Sequence, residues 1–194
     1  MATLIELESL TTKSRFVTPV QKNESGQFVV AGADAPLITI DINHQRNHDG
    51  RAWVAWKLYP DAAKLASGES CDIVLAAGPA TIVHLTVEAL LMGDAELYTY
   101  EGTTSTGGTA FTPINRNRNY TTSSNVAMVI NPTVTATGTM LDAQFLPGGT
   151  GKKSGGGGLH SLEFVLKPLT NYLIRMTNVN GTAHPGHLSL EWYE

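Results

Sequence analysis

From Pro36 to the end of the chain, apolar and polar residues alternate with a period of two. In the segment TIVHLTVEALL, residues 81–91, one side of the alternation is purely apolar and consists of Val83, Leu85, Val87 and Ala89. Successive side chains of a β-strand point to opposite faces, so this pattern predicts strands with one buried face. The strands of a doubly wound parallel sheet would instead read as continuous apolar runs. The sequence therefore predicts an all-β, antiparallel fold.

Further alternating segments are LITIDI, WVAWKLY, CDIVLAA, AELYTYE, VAMVI, SLEFVLK, NYLIRMT and HLSLEWY. Together with residues 81–91 they make about eight or nine short strands separated by Gly, Pro and Asn turns. This arrangement is typical of an antiparallel β-sandwich of jelly-roll-like type. Only PDAAKLASG, residues 60–68, predicts a short helical turn, with Asp61 as its N-cap and Gly68 at its end.

Residues 1–36 have a different texture, because polar and turn residues interrupt every apolar run. We expect this segment to be an N-terminal arm with at most short strands, which becomes ordered against a partner. Residues 37–194 are expected to form one β-sandwich domain, since two full domains would be cramped in a chain of 194 residues.

The formal net charge of the chain is −4, whereas proteins that neutralise nucleic-acid phosphates carry a basic excess. We therefore expect no nucleic-acid partner. No segment reaches the roughly 18 apolar residues of a transmembrane helix, and the opening MATLIELESL lacks the regions of a signal peptide. We expect a soluble protein with no membrane partner. The single cysteine, Cys71, lies in an apolar strand, which predicts a core position in a protein made in a reducing compartment.

The glycine-rich segment LPGGTGKKSGGGGL, residues 146–159, shares only its Gly151-Lys152 step with a phosphate-binding loop. Leu146 stands where the leading glycine of that motif belongs, and Lys153 stands where its hydroxyl belongs. We therefore interpret the segment as a flexible connection between two strands. Lys152 and Lys153 are candidate interface residues for an acidic partner surface.

A search for catalytic residues finds no convincing arrangement in the sequence. The G-x-S-x-G motif of a serine nucleophile is missing, and an apolar strand disfavours the thiolate form of Cys71. The carboxylates show no spacing that glycoside hydrolysis requires. We expect a protein without enzymatic activity, without a cofactor and without metal ligands.

His44 and His48 have the i, i+4 spacing of a helical metal site, but INHQRNHDGR predicts a strand end that runs into a turn. Outside a helix, that spacing does not guarantee a shared face. His184 and His187 flank a Pro-Gly turn. We interpret these histidines as solvated or hydrogen-bonded turn residues, and a metal site that includes Asp49 is the alternative.

The segment TPINRNRNYTTSS, residues 112–124, alternates arginine with asparagine. In an extended chain the guanidinium groups of Arg116 and Arg118 would share one face, and Asn117 would lie on the other. The segment is either a long solvated loop or a polar interface ribbon, for which arginine is well suited. Arg116, Asn117 and Arg118 are therefore candidate interface residues.

The three tryptophans, Trp53, Trp56 and Trp192, lie in alternating strands. Alternation predicts that they pack in the core or in an interface, and a sugar-binding platform is the alternative.

A set of motifs resembles a family of tailed-bacteriophage virion proteins, the head decoration or cement proteins. In order, the motifs are INHQRNHDGRAWVAW, GDAELYTYEG, INRNRN, PTVTATGTML, the glycine-rich loop, EFVLKPLTNYLIRMTN and LEWYE. The resemblance covers residues 37–194. The family has a denser histidine cluster where this chain has NHQRNHDG, with Asn43 in place of the first histidine.

The resemblance implies a non-enzymatic protein that binds the major capsid protein on the outer surface of the virion and stabilises the head. It also implies a homo-oligomer, a trimer, that is made in the cytoplasm of the host bacterium. Many modest contacts on a repeating lattice would then add up through multivalency. The alternative is a receptor-binding or carbohydrate-binding β-sandwich module of a phage tail fibre or spike.

Overall fold

The computed structural model describes residues 3–8, 15–22, 28–30, 42–79, 82–148 and 163–194. The chain divides into two compact units, Met1–Ile42 and Asn43–Glu194. The sequence places the boundary between arm and sandwich a few residues earlier, after residue 36.

The first unit contains a three-stranded antiparallel sheet of β1 (Thr3–Glu8), β2 (Arg15–Lys22) and β3 (Phe28–Val30), in that order. Strand β2 is the central one, since its residue Val20 is paired with Thr3 of β1 and with Val30 of β3. The segment expected to carry at most short strands thus has strands of six, eight and three residues that pair with one another.

Helix α1 (Ile42–His48) precedes thirteen further strands. They are β4 (Ala52–Tyr59), β5 (Ser70–Ala76), β6 (Val83–Leu91), β7 (Ala95–Glu101), β8 (Thr104–Thr106), β9 (Thr109–Phe111), β10 (Ile114–Asn115), β11 (Ala127–Ile130), β12 (Thr133–Ala136), β13 (Thr139–Leu146), β14 (Glu163–Leu166), β15 (Asn171–Asn178) and β16 (Gly186–Tyr193). The number of strands exceeds the predicted eight or nine. The sequence does not reveal β8, β9, β10 and β12, because they have only two to four residues, too few to show a period.

Most of these strands form two large sheets. A five-stranded sheet has the order β10-β4-β16-β6-β14, a six-stranded sheet has the order β13-β7-β15-β5-β11-β9, and β8 pairs with β12 in a separate ribbon. All of these pairings are antiparallel. In the described part of the two large sheets, no two neighbouring strands are consecutive along the chain, so the chain passes repeatedly from one sheet to the other. The predicted antiparallel β-sandwich is confirmed.

The core is a single cluster of apolar side chains contributed by both large sheets. Apolar and polar residues that alternate in the sequence also alternate between buried and partly exposed positions in the strands. In β16, for example, Leu188, Leu190 and Trp192 are buried, and the residues between them are partly exposed. Burying one such aliphatic side chain contributes on the order of 1.5–3 kcal/mol to the free energy of unfolding. Opposite them, β5 and β15 contribute Cys71, Ile73, Leu75, Ile174 and Met176.

Strand β5 is also buried on its second face, which the alternation did not predict. There the nearly buried Asp72 accepts hydrogen bonds from Arg175 on β15, from Nε at 2.7 Å and from Nη2 at 2.6 Å. Asp72 and Arg175 are directly opposite each other in the strand register. The Asp72 carboxylate raises the pKa of Arg175 through these hydrogen bonds. A buried carboxylate needs such a partner, because losing water without one is costly.

The predicted helical turn at residues 60–68 is wrong. That segment makes turns and a single β-bridge, in which Leu65 and His184 exchange backbone hydrogen bonds of 3.0 and 3.1 Å. Leu65 is fully buried there, so tertiary packing outweighs local helix propensity.

The one helix of the described residues is α1, in a segment expected to be a strand end and a turn. Its end is a Schellman motif: the Arg51 amide donates to the Arg46 carbonyl at 2.9 Å, and the Gly50 amide donates to the Asn47 carbonyl at 3.2 Å. Gly50 has a φ of 66°, the left-handed conformation that this motif requires.

Two glycines that flank the β7–β13 pair allow a steric prediction. Gly138 and Gly102 have φ angles of 85° and 78°, but a Cβ on Gly138 would lie 2.1 Å from the Glu101 carbonyl oxygen, whereas one on Gly102 meets nothing within 4 Å. We expect Gly102→Ala to cost roughly 1–2 kcal/mol, the penalty of the left-handed conformation. Gly138→Ala adds a backbone clash and should lower the free energy of unfolding by at least about 3 kcal/mol, as measured by urea denaturation of both variants. Equal losses would contradict this packing.

Candidate functional site

The loop that carries the candidate interface residues runs from Arg116 to Asn125, between β10 and β11. Its first turn is held from within by asparagine side chains. The buried Asn115 donates through Nδ2 to the Gly50 carbonyl at 2.8 Å, and its Oδ1 accepts from the Asn117 amide at 2.9 Å. Asn117 repeats the pattern, since its Oδ1 accepts from the Asn119 amide at 3.1 Å. These asparagines act as structural supports of the loop.

Of the two interpretations that the sequence left open, the loop describes residues 116–119, which form bends and turns, so the shared face expected of an extended chain does not apply to them. Arg116 donates through Nη1 to Glu191 of β16 at 2.8 Å, so its charge is paired. Arg118 donates to the Asn115 carbonyl at 3.3 Å and is exposed. Asn117 also donates through Nδ2 to the His48 carbonyl at 3.1 Å, which connects the loop to the end of α1.

The far end of the loop is fixed by the side chain of Glu194, which is buried. Its carboxylate accepts hydrogen bonds from the Ser124 hydroxyl at 2.5 Å, from the Asn125 amide at 3.0 Å and from Asn125 Nδ2 at 2.7 Å. Trp192 Nε1 donates to the Ser124 hydroxyl at 3.1 Å. A carboxylate with this many donors is satisfied without water, so it anchors the loop to β16.

Sequence reasoning missed Glu194, although a signal was present. Alternation along β16 places residue 194 on the same buried face as Leu190 and Trp192. A charged residue on a buried face needs partners nearby, which is the signal that could have identified it.

Two open grooves lie beside the loop, and both include Tyr120, Thr122 and Ser123 in their walls. One, of about 470 Å³, is also lined by Trp53 and Glu194. The other, of about 700 Å³, is also lined by Arg118, Phe111 and Met128. The loop thus presents an exposed arginine, a half-exposed tyrosine and several hydroxyl groups, side chains that suit contacts to a polar protein surface.

Lys152 and Lys153, the other two candidate interface residues, lie outside the described residues. Of the glycine-rich segment, the structure describes residues 146–148. There Leu146 is buried and the Gly148 amide donates to Asp94 Oδ1 at 2.8 Å.

Two of the histidines, His44 and His48, lie in a helix and not in the predicted strand end and turn. Because α1 is a helix, His44 and His48 share a face, and their Nε2 atoms are 3.0 Å apart. His184 makes a 3.0 Å hydrogen bond to the Thr182 hydroxyl, and His187 lies 3.8 Å from Glu88. In the described part of the chain, no group of three or more His, Cys, Asp and Glu side chains is arranged to hold a metal ion.

Cys71 is fully buried in β5, as predicted. Burial raises the pKa of its thiol to about 11, the neighbouring Asp72 adds to the rise, and a hydrogen bond from Tyr59 opposes it. The thiol is therefore protonated at neutral pH and does not act as a nucleophile there.

The tryptophans divide into two groups. Trp53 and Trp192 are buried in the core, as the alternation predicts. Trp56 is 42% exposed and has Phe111 edge-on at 5.9 Å between ring centroids. It is therefore the tryptophan to consider for contacts with a ligand.

The hydrogen bonds of Glu194 allow a matched comparison with Glu191. Glu194→Ala removes a buried carboxylate that accepts hydrogen bonds from Ser124 and Asn125, and it should lower the free energy of unfolding by about 2–3 kcal/mol, because hydrogen bonds to a charged group are the stronger ones. Glu191→Ala removes only the exposed ion pair with Arg116 and should cost less than about 1 kcal/mol. Urea unfolding of both variants measures the difference, and a loss for Glu191→Ala as large as that for Glu194→Ala would contradict the anchoring role.

Among the described residues, no helix is both long enough and apolar enough to cross a membrane. Comparison with known proteins yields no match to a family model, to a curated protein or to a solved structure.

Proposed function

We propose that this chain is a non-enzymatic structural protein that decorates the outside of a tailed-bacteriophage capsid as a homotrimer. The resemblance of residues 37–194 to head decoration proteins suggests this role. The observation that carries the proposal is the β13 edge, the exposed apolar side chains Met140, Leu141 and Phe145 on the outermost strand of the six-stranded sheet.

The β13 edge has the properties of a protein interface. Phe145 is 60% exposed, Met140 56% and Leu141 41%. Among the described residues, β13 pairs only with β7, so the backbone groups along its other side have no strand partner. Strand β13 is irregular between Met140 and Asp142, but beyond that point its edge has no Lys or Pro and carries the exposed Phe145, so this part is a template for pairing with another chain. We assign this edge to contacts between copies of the chain, because permanent interfaces are the more apolar ones.

The loop Arg116–Asn125 suits the capsid contact instead. Arg118 is exposed and Tyr120 is 46% exposed, and arginine and tyrosine are the residues that most often dominate binding energy in interfaces. The hydrogen bonds of Asn115, Asn117 and Glu194 hold the loop in one conformation, so little entropy is lost when it binds. Three such loops on a trimer would bind a lattice far more tightly than one.

Three groups of the kinds used in catalysis have structural roles here. Cys71 is buried and protonated, Asp72 is paired with Arg175, and Glu194 is hydrogen-bonded to the loop. These roles agree with a protein whose function is binding and reinforcement.

The proposal predicts separate effects for the two surfaces. Phe145→Glu places a charge in the contact between copies and should convert the trimer to a monomer in light scattering coupled to size-exclusion chromatography. Leu58→Glu is the matched control, since Leu58 is 56% exposed but lies on β4. A wild-type protein that is monomeric at tens of micromolar, or a Phe145→Glu variant that stays trimeric, would refute the assignment of the β13 edge.

The capsid contact is measured by co-sedimentation with undecorated heads of the phage that encodes the protein. Arg118→Glu should weaken binding at least tenfold and leave the trimer intact, because the loop is held by its asparagines. Heads that bind neither the wild-type protein nor the variant would reject the decoration role.

A carbohydrate-binding module remains the second candidate, and Trp56 is the observation that favours it. An exposed indole beside a second aromatic ring offers a flat apolar surface of the kind found in ligand sites. This candidate predicts glycan-array binding by the wild-type protein that Trp56→Ala abolishes. Arrays without signal for the wild-type protein would remove it.

A further inference from the structure

Helix α1 presents two histidines one turn apart. His44 and His48 are both exposed, their ring centroids are 4.7 Å apart, and the ring planes are inclined by 57°. The two Nε2 atoms approach to 3.0 Å. The rings therefore point their Nε2 atoms at a common position outside the helix.

Two imidazole nitrogens at this distance must share a Lewis acid. Without a metal ion, one Nε2 carries a proton and donates it to the lone pair of the other. Two nitrogen ligands at about 2.1 Å from one metal ion are about 3.0 Å apart when the angle at the metal is 90°, and about 3.4 Å apart at a tetrahedral angle. The observed 3.0 Å is the length of that hydrogen bond, and it is also a separation that an ion with right-angle coordination can bridge.

We propose that His44 and His48 form a bidentate site for a divalent transition-metal ion with right-angle coordination, Cu²⁺ or Ni²⁺, with water in the remaining positions. Square-planar and tetragonal nitrogen sites are those that these two ions favour. The site is independent of the proposed capsid role and departs from the sequence prediction of no metal ligands, which assumed a strand end and a turn at residues 42–51.

The surroundings of α1 support the helix that carries the two histidines. The Schellman motif at Gly50 fixes the last turn of the helix, and Asn117 Nδ2 donates to the His48 carbonyl at 3.1 Å. Gln45 donates to Asp49 Oδ1 at 2.9 Å on the same segment. The guanidinium of Arg46 lies over the ring of Tyr193, at 5.9 Å from its centroid. A ligand pair on a supported helix loses little freedom when the ion binds.

The other histidines that the structure describes have different neighbours. His84 lies 2.5 Å from Glu163 and stacks on Tyr193, and His184 contacts the Thr182 hydroxyl. His187 is the suitable control, because it is partly buried on β16 and its Nε2 atom lies 3.8 Å from the Glu88 carboxylate.

The test is a calorimetric titration of tag-free, chelator-treated full-length protein with CuCl₂, repeated with NiCl₂. Wild-type protein should bind one ion, and His48→Gln and His44→Gln should each lose roughly 100-fold in affinity, because the second imidazole acts as an intramolecular ligand. The double variant should lose binding at this site altogether, because neither imidazole ligand remains. His187→Gln should bind as the wild-type protein does.

Electron paramagnetic resonance of the Cu²⁺ complex gives a second readout, with two nitrogen ligands expected in the wild-type protein and none from this site in the double variant. Circular dichroism checks that the variants are folded, which these exposed positions favour. Equal affinity of the wild-type protein and His48→Gln, or the absence of a nitrogen signal, would overturn the proposal. Neither result depends on whether the protein binds capsids.

Discussion

Each large sheet has one apolar face, and the burial of these two faces against each other holds the second unit together. The strands at the centre of the sheets are β16, between β4 and β6, and β15, between β7 and β5. Both pair with strands that precede them by many residues, so each sheet depends on contacts between distant parts of the chain. Such long-range pairing makes the fold slow to form, because loop closure costs entropy before contacts repay it.

The same packing explains where the polar anchors lie. Glu194 faces inward at the end of β16, Asp72 lies on the second face of β5, and Asn115 ends β10. Glu194 accepts hydrogen bonds from the loop residues Ser124 and Asn125, and Asp72 accepts them from Arg175. Asn115 donates a hydrogen bond to the Gly50 carbonyl. An unsatisfied buried polar group is costly, so each of these hydrogen bonds permits only one arrangement of the segments it joins. The loop Arg116–Asn125 gains its conformation in this way.

The surfaces available for binding differ in chemistry. The β13 edge is apolar and has unpaired backbone groups among the described residues, which suits a permanent contact between identical chains. The loop Arg116–Asn125 is polar and preorganised, which suits a contact made many times on a lattice. Helix α1 offers two imidazole nitrogens, which we propose as ligands for a metal ion. A rigid sandwich supports all three, because strands and capped helices hold side chains more firmly than unsupported loops do.

Alternation along the chain was enough to predict the fold class, the antiparallel sheets, and the burial of Cys71, Trp53 and Trp192, because a strand with one buried face must show a period of two. It did not predict the helix at residues 42–48, the bridge at Leu65, or the turn that brings Arg116 to Glu191. Those features depend on contacts with residues that are distant in the sequence, and local propensity carries no information about such contacts. The sequence by itself determined that the chain forms a β-sandwich whose strands have one apolar, buried face and one polar face. Only the tertiary structure decided which strands form the edges, which carboxylate anchors the candidate loop and which histidines meet, because each of these depends on what lies across the fold.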